Sequence, residues 1–168
     1  TKMKHQSYLI KNGLVYDGSA SRPQHADILV SDGIVKSISK TIEVDDDVAV
    51  VDVQGKWVMP GFIDTHTHYD AEVLVNPGLS ESVRHGVTTV VIGSCSISMI
   101  LSDALDCSDM FTRVESVPRE QVLPILKEKK TWSSAKGYVD FLKQHPVGPN
   151  VASYLGHSDL RSSVMGMA

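Results

Sequence analysis

The segment that most constrains this chain is Met59–Asp70, in which an apolar run leads directly into two histidines separated by one residue. Four large apolar residues surround its Pro-Gly bend: Val58, Met59, Phe62 and Ile63. Such a run predicts a strand that is buried on both faces. Because strand residues i and i+2 point to the same face, His66 and His68 offer two imidazoles to one metal ion.

A histidine pair with this spacing also occurs among ordinary surface or cleft histidines, so its context matters. Barrel enzymes present ligand-type residues at the C-terminal ends of buried strands, which favours a metal site here. The segment Pro60–His68 resembles the first-strand motif of the amidohydrolase superfamily of metal-dependent hydrolases. The resemblance implies a (β/α)8 barrel that carries a small β-sandwich, and it implies that His66 and His68 bind one metal of a mono- or binuclear centre.

A second candidate ligand, Cys95, follows the β-branched run Val87–Ile92, which predicts the next barrel strand. A free cysteine is often an inert, buried hydrophobe, whereas its thiolate is a good zinc ligand, so position alone leaves both roles open. The run Gly93–Cys95 followed by Ser98 resembles the second-strand signature of the N-acyl-D-amino-acid deacylase (D-aminoacylase) branch. That resemblance implies that Cys95 is a metal ligand in the place where related amidohydrolases use a carboxylated lysine.

One residue departs from the branch. Ser96 stands where the branch commonly has glycine. A serine resists a positive φ angle more than glycine does, so we expect strain in the backbone beside Cys95.

The chain is predicted to contain two domains. Residues 1–57 predict a small all-β sandwich module, because short apolar runs alternate with turn signals at Asn12-Gly13, Asp17-Gly18 and Asp32-Gly33. The resemblance implies that strands from the C-terminus complete this module. Residues 58–168 predict an α/β domain made of the first three β/α units of a metal-dependent-hydrolase barrel.

Four further elements are predicted within residues 58–168. A short helix is expected from a cap at Ser80 to about His85, and an irregular insertion over the barrel mouth at about 97–132 contains a spectator Cys107 and a helical run interrupted by Pro124. Ser133 or Ser134 is expected to cap the next helix, and Asn150–His157 predicts a third strand. The run from Gly156 to Gly166 resembles the D-aminoacylase branch again.

Three more residues are candidates for supporting roles. Asp64 and Asp70 are candidates to orient a ligand or line the pocket, since Asp64 shares the face of His66. His157 is either such a residue or an ordinary strand-end histidine. The branch places two further metal histidines and its catalytic aspartate on later strands. No catalytic base is therefore assigned in this sequence, which resembles the N-terminal portion of a hydrolase and is expected to be inactive alone.

Composition excludes some partners. The net charge of -4 and the pI near 5.9 provide no basic surface for nucleic acid or anionic lipid. No apolar segment reaches the roughly 18 to 20 residues that a membrane span needs. The two cysteines do not form a secreted disulfide framework, which favours a cytoplasmic protein.

The expected function is zinc-dependent hydrolysis of the amide bond of small-molecule N-acyl-D-amino acids, with one or two zinc ions in the intact enzyme. One alternative is a cyclic-amide amidohydrolase of the dihydroorotase or hydantoinase kind, which Cys95 in place of a lysine ligand argues against. The other is a non-catalytic fragment that assembles with its missing half. Exposed strand edges also predict self-association.

Overall fold

The computed structural model describes residues 7–166, and they form two compact units that divide between Pro60 and Gly61. The first six residues of the predicted β module lie outside the described residues. Val58, which the sequence assigned to the first barrel strand, instead pairs with Val15 in the first unit. The strand predicted to begin at Val58 therefore begins after the Pro60-Gly61 bend.

The first unit is a five-stranded sheet of mixed direction. Its strands are β1 (Ser7–Val15), β2 (Gln24–Ser31), β3 (Ile34–Ser39), β4 (Ala49–Asp52) and β5 (Trp57–Val58). The first three strands form antiparallel pairs in the order β3-β2-β1, and β4 and β5 both pair in parallel with β1. A small cluster of buried apolar residues, Val15, Ala26 and Ile28, forms the core of this unit.

The predicted turns had different outcomes. Asp32-Gly33 forms the expected two-residue hairpin between β2 and β3, with both residues at positive φ. The hairpin predicted at Asn12-Gly13 is wrong, because β1 continues through these residues with a bulge. The buried Asp27 carboxylate accepts a hydrogen bond from the Asn12 backbone N–H at 2.9 Å, which stabilises the bulge. The Asn-Gly pair therefore lies within a longer strand instead of forming a turn.

The second unit combines a parallel sheet with helices. Its elements are β6 (Phe62–Asp64), a 3-10 turn (Glu72–Leu74), α1 (Ser80–Arg84), β7 (Val87–Ile92), α2 (Ala104–Glu115), α3 (Arg119–Lys129), α4 (Ala135–Gln144), β8 (Asn150–Ser153) and α5 (His157–Met165). The three strands are parallel in the order β6-β7-β8, so their carboxyl ends share one edge. Among residues 7–166, no helix is both long and apolar enough to cross a membrane.

Local signals for several elements of the second unit are confirmed. The β-branched run Val87–Ile92 is β7, with Val90 and Ile92 fully buried. Ser134 caps α4 by accepting a hydrogen bond from the Gly137 backbone N–H. The short helix predicted from Ser80 to about His85 is α1, although Leu79 rather than Ser80 is its N-cap.

Two strand predictions are wrong. The first strand is not buried on both faces, because Phe62 is 60% and Ile63 is 64% exposed. Within the part of the chain that the structure describes, β6 pairs only with β7, and its apolar side chains stay largely exposed. The third strand ends at Ser153, and His157 is the first residue of α5 instead of the last residue of a strand.

The predicted irregular insertion is also wrong in detail, because most of it is helical. Cys107, Met110, Phe111 and Val114 recur at helical spacing in α2, and the first three are buried in the core of the second unit. The helix α3 continues through Pro124, since burial of Val122 and Leu126 stabilises it on both sides of the proline. The acids mixed into these segments are half-buried or exposed, and their presence concealed the helical period.

A buried carboxylate fixes the loop that follows β7. Asp159, in the first turn of α5, is fully buried and accepts hydrogen bonds from the Ser98 hydroxyl at 2.6 Å and from the Ile100 and Ser102 backbone N–H groups at 2.7 Å each. The Ser102 hydroxyl donates in return to the Asp159 carbonyl. This network joins the loop to α5 and provides hydrogen-bond donors to both oxygens of the buried Asp159 carboxylate.

We expect Asp159→Ala to lower the free energy of unfolding by about 3 kcal/mol or more, because several buried donors lose their acceptor. Urea unfolding measures this change. Asp140→Asn is the matched control, since its ion pair with Lys136 on α4 is exposed to solvent and its loss should leave the urea midpoint nearly unchanged. Equal midpoints for the two variants would contradict the role of Asp159.

Candidate metal centre

Three side chains with metal-ligand chemistry meet at the carboxyl edge of the parallel sheet. His66 and His68 follow β6, and Cys95 follows β7. The strand itself ends at Asp64, so the two histidines project from the segment beyond it instead of from a continuous strand. They nevertheless converge with Cys95, because parallel strands deliver their following loops to the same edge.

The distances suit a single ion. One potential ligand atom from each of His66, His68 and Cys95 lies within 4.8 Å of the other two. His66 Nε2 is 3.3 Å from the Cys95 sulfur, whereas tetrahedral zinc bonds of normal length would separate these atoms by about 3.6 Å. Two imidazoles and one thiol are a donor set that zinc prefers. The residues present therefore fit a zinc ion.

The backbone beside Cys95 is left-handed, as the presence of serine at position 96 led us to expect strain. Cys95 has φ 52° and Ser96 has φ 70°, and each non-glycine residue in this region costs about 1 kcal/mol or more. The Ser96 hydroxyl lies 2.8 Å from the Ser158 hydroxyl, and the Ser96 carbonyl accepts the Ser158 N–H at 2.8 Å. These bonds to α5 offset the strain.

Gly93 is required at the start of the same segment. It has φ 78°, and a Cβ atom there would lie 2.4 Å from the Tyr154 carbonyl oxygen. A side chain would therefore push the loop after β7 away from the segment after β8. Gly93 keeps the backbone that leads to Cys95 close to the third strand.

Two residues hold the histidine segment in place through its backbone. Asp64 accepts the His66 backbone N–H at 3.1 Å, so its carboxylate contacts the main chain and not the imidazole. Thr67 is buried, and both its N–H and its hydroxyl donate to the Val91 carbonyl. No local sequence pattern marks Thr67, because this bond exists only once β6 and β7 pair.

Asp70 connects the histidine segment to the cysteine segment. Its side chain is 1% exposed, and its Oδ2 atom accepts the Gly93 N–H at 3.0 Å. Burial raises the pKa of Asp70 from its ordinary value of 3.8 to about 7, against the lowering effect of the Gly93 hydrogen bond. Its placement supports the backbone of the site, and the carboxylate contacts none of the three candidate ligands.

Glu115, which sequence reasoning missed, is adjacent to His68. His68 Nδ1 lies 3.1 Å from Glu115 Oε1, a close electrostatic contact without the alignment of a full hydrogen bond. Glu115 is the last residue of α2, in the insertion. Nothing in the sequence links positions so far apart, and only the fold of the insertion brings them together.

His157 lies at the rim of the site. It is exposed at the start of α5 and, with His66 and Cys95, lines an open hollow of about 430 Å³. No hydrogen bond among the described residues joins its ring to the three candidate ligands. Its position suits contact with a molecule in the hollow better than ion binding.

The second thiol has a different environment. Cys107 is fully buried in α2, and burial raises the pKa of its thiol to about 12. Its sulfur lies 3.6 Å from the Ser102 carbonyl, to which it donates. Cys107 therefore stays protonated and acts as a small core residue.

Comparison with known proteins gives consistent matches over the whole described chain. A sequence profile of the amidohydrolase family matches residues 49–167. An uncharacterized protein of Mycobacterium tuberculosis is 49% identical over 160 residues, which are 95% of this chain and 26% of that protein. The D-aminoacylase of Alcaligenes xylosoxydans xylosoxydans is 32% identical over 161 residues, which are 94% of this chain and 30% of the enzyme.

One solved structure adds a three-dimensional match. The N-acyl-D-glutamate deacylase of Bordetella bronchiseptica, determined with zinc and a phosphonate inhibitor, aligns with a TM-score of 0.70 at 28% identity. The alignment covers 97% of this chain and 32% of that enzyme. The chain thus spans about a third or less of the length of the relatives that it matches.

We expect Asp70 to make the metal-free protein less stable as the pH rises. Because its pKa is higher in the folded state, its stabilising contribution is complete below pH 3.8 and is lost as the pH rises through about 7. Asp70→Asn removes this loss, so the stability of the variant should change less between pH 5 and 8, by a few kcal/mol at most.

Urea unfolding at both pH values, after treatment with a chelator, measures the effect. Asp46→Asn, in an exposed turn of the first unit, is the control and should keep the wild-type pH dependence. Parallel pH dependence of the wild type and Asp70→Asn would show that Asp70 does not titrate in this range.

Proposed function

Since this chain belongs to the amidohydrolase family, we propose that the protein is a zinc-dependent hydrolase of N-acyl-D-amino acids. The observation that carries the proposal is the convergence of His66, His68 and Cys95 at the edge of a parallel sheet. Two histidines followed by a cysteine ligand match the pattern that the sequence shares with the D-aminoacylase branch. The relatives named as D-amino-acid deacylases support the same substrate class.

The fold that we propose is the start of a (β/α)8 barrel. The strands β6, β7 and β8 run in parallel in chain order, with helices in both connections. A barrel begins in this way, and its active site lies at the carboxyl ends of the strands. The TM-score of 0.70 with the Bordetella bronchiseptica deacylase supports this proposal.

The proposed metal is zinc, held by the two imidazoles and the Cys95 thiolate. A bound zinc ion supplies Lewis acidity toward a carbonyl oxygen and activates water at neutral pH. The chain itself holds the ligands: Asp64 and Thr67 fix the histidine segment, and Asp70 bonds to the loop that leads to Cys95. The hollow beside His66 and Cys95 leaves room for an acyl group and is lined on one side by His157.

We assign no general base among residues 7–166. Asp64 accepts a backbone N–H and Asp70 is buried, so neither carboxylate reaches into the open hollow. Amide hydrolysis needs a group that carries a proton to the leaving nitrogen. We therefore propose that this chain alone does not hydrolyse N-acyl-D-amino acids, and that any activity belongs to the whole protein.

Self-association and cytoplasmic location stay predictions. Phe62 and Ile63 expose apolar surface on β6, and an exposed apolar edge strand favours pairing with another strand. Whether a second copy or another part of the same protein covers this edge decides between self-association and assembly with a missing half. A cytoplasmic location suits Cys95, since a thiolate ligand has to be kept reduced.

Substrate turnover tests the reaction class. The protein expressed from its complete coding sequence should release free amino acid from N-acetyl-D-amino acids and much less from the L-enantiomers. Dihydroorotate and hydantoin are the matched alternatives, because cyclic-amide hydrolysis is the competing function. Faster turnover of a cyclic amide would replace the proposed activity with that alternative.

The two cysteines test the metal assignment. Loss of a group that only supports a metal ligand weakens metal affinity by about 10- to 100-fold. Cys95→Ala removes a proposed ligand itself, so it should weaken zinc affinity by more than that. Cys107→Ala is the matched control and should keep the zinc content of the wild type, because its thiol is buried elsewhere. Elemental analysis of both purified variants measures the outcome, and equal zinc content would return Cys95 to the role of a spectator.

A further inference from the structure

We infer that Glu115 is a positioning residue for the metal centre, which orients His68 and strengthens it as a ligand. The inference rests on the proposed zinc site. The insertion that carries Glu115 would then be part of the metal centre, in addition to any part that it plays in shaping the substrate pocket.

The contact defines which nitrogen of His68 is available to an ion. His68 Nδ1 faces Glu115 Oε1 at 3.1 Å, so Nε2 is the nitrogen left for the metal. His66 also presents Nε2, which lies 3.3 Å from the Cys95 sulfur. A carboxylate at Nδ1 selects the tautomer that carries its proton there, and it increases the electron density that Nε2 offers to a cation.

The contact is sheltered from water. The side chains of His68 and Glu115 are only 28% and 23% exposed, and the Nδ1 atom itself is inaccessible to solvent. An inaccessible ring N–H needs an acceptor, and Glu115 is the nearest charged one described. A small rotation of the carboxylate would align the hydrogen bond.

The fold gives no other reason for an acid at position 115. Glu115 ends α2, where the negative end of the helix dipole disfavours a carboxylate. Arg119 is paired with Asp109 instead, and His68 is the one ion-pair partner of Glu115 among the described residues. The acid is therefore unfavourable for its own helix and favourable only for the imidazole that it faces.

The rest of α2 keeps Glu115 in position. Met110 and Phe111 are buried in the core of the second unit, and the Ser162 hydroxyl of α5 donates to Asp106 in the first turn of α2. Ser116 then ends the helix with φ 57°. These contacts hold α2 against the core and against α5, so the carboxylate reaches His68 from a packed helix.

The test measures two quantities in the protein expressed from its complete coding sequence. The first is zinc affinity, by competition with a chelator, and the second is the urea midpoint of the metal-free protein. Glu115→Gln should weaken zinc binding about 10- to 100-fold. The same change should leave the metal-free midpoint unchanged or higher, because it removes a negative charge from a helix C-terminus.

Two further variants complete the design. Glu115→Asp keeps the carboxylate and should recover part of the lost affinity. Glu120→Gln removes an exposed acid from the first turn of α3 in the same insertion, where the helix dipole favours an acid. It should leave zinc affinity unchanged and the metal-free midpoint unchanged or slightly lower. Opposite effects on affinity and stability would separate positioning from a structural role, which lowers both together.

Three results would overturn the inference. They are wild-type zinc affinity in Glu115→Gln, loss of metal-free stability in parallel with affinity, and X-ray absorption spectra in which Glu115→Gln loses an oxygen ligand, since that would make Glu115 itself a ligand. Failure of the proposed zinc site looks different. In that case the wild-type protein and Cys95→Ala would bind equally little zinc, and the inference would fall with the site.

Discussion

The hydrogen bonds of the Asp159 carboxylate are the interaction on which the geometry of the second unit depends most. A fully buried carboxylate is strongly unfavourable unless donors surround it, and here a hydroxyl and backbone N–H groups from one loop do so. That loop follows Cys95 directly. Because the donors all lie within residues 98–102, the carboxylate selects one loop conformation out of many. It does so from the helix that follows the third strand.

The hydrogen bonds of Asp159 explain how the strained backbone at Cys95 and Ser96 is maintained. Two successive left-handed non-glycine residues would relax if the loop were free. Asp159 fixes the loop on the C-terminal side of this segment, and Asp70 bonds to Gly93 on its N-terminal side. Ser158, next to Asp159, bonds to Ser96 itself. The thiol is therefore presented toward His66 by buried polar contacts on both sides, and not by its own local preference.

The sequence predicted what local chemistry decides. The β-branched run of β7, the Asp32-Gly33 hairpin and the Ser134 cap each depend on residues within one turn or strand, and all three are confirmed. Prediction failed where residues far apart in the chain determine the structure, as at the exposed Phe62 and at the bulge at Asn12 that Asp27 stabilises. The histidine pair could be proposed from its spacing and context, and Cys95 from the resemblance to the D-aminoacylase branch.

Thr67 and Glu115 could not be predicted as supporting groups, unlike Asp64 and Asp70, because their contacts depend on how separate elements pack. The Thr67 hydroxyl reaches the Val91 carbonyl only when β6 and β7 pair, and Glu115 reaches His68 only when α2 has docked. Neither residue stands out in the sequence, since one is a threonine between two histidines and the other is an acid near a helix end. Motifs thus identify candidate ligands, whereas the surrounding contacts that fix their orientation require the fold.

The arrangement would also link binding of the proposed zinc ion to the stability of the segments that carry the candidate ligands. The ion would bind only when the two imidazoles and the thiol are gathered within 4.8 Å, and the unfolded chain does not hold them together. A cation that binds only this gathered state stabilises it by mass action, in proportion to the logarithm of its concentration over its dissociation constant. The strained loop is held before any ion binds by Asp70, Asp159 and Ser158. Less of the free energy of ion binding is therefore needed to order that loop. A preorganised site of this kind favours tight binding and a fixed ligand geometry, both of which hydrolytic chemistry at a metal requires.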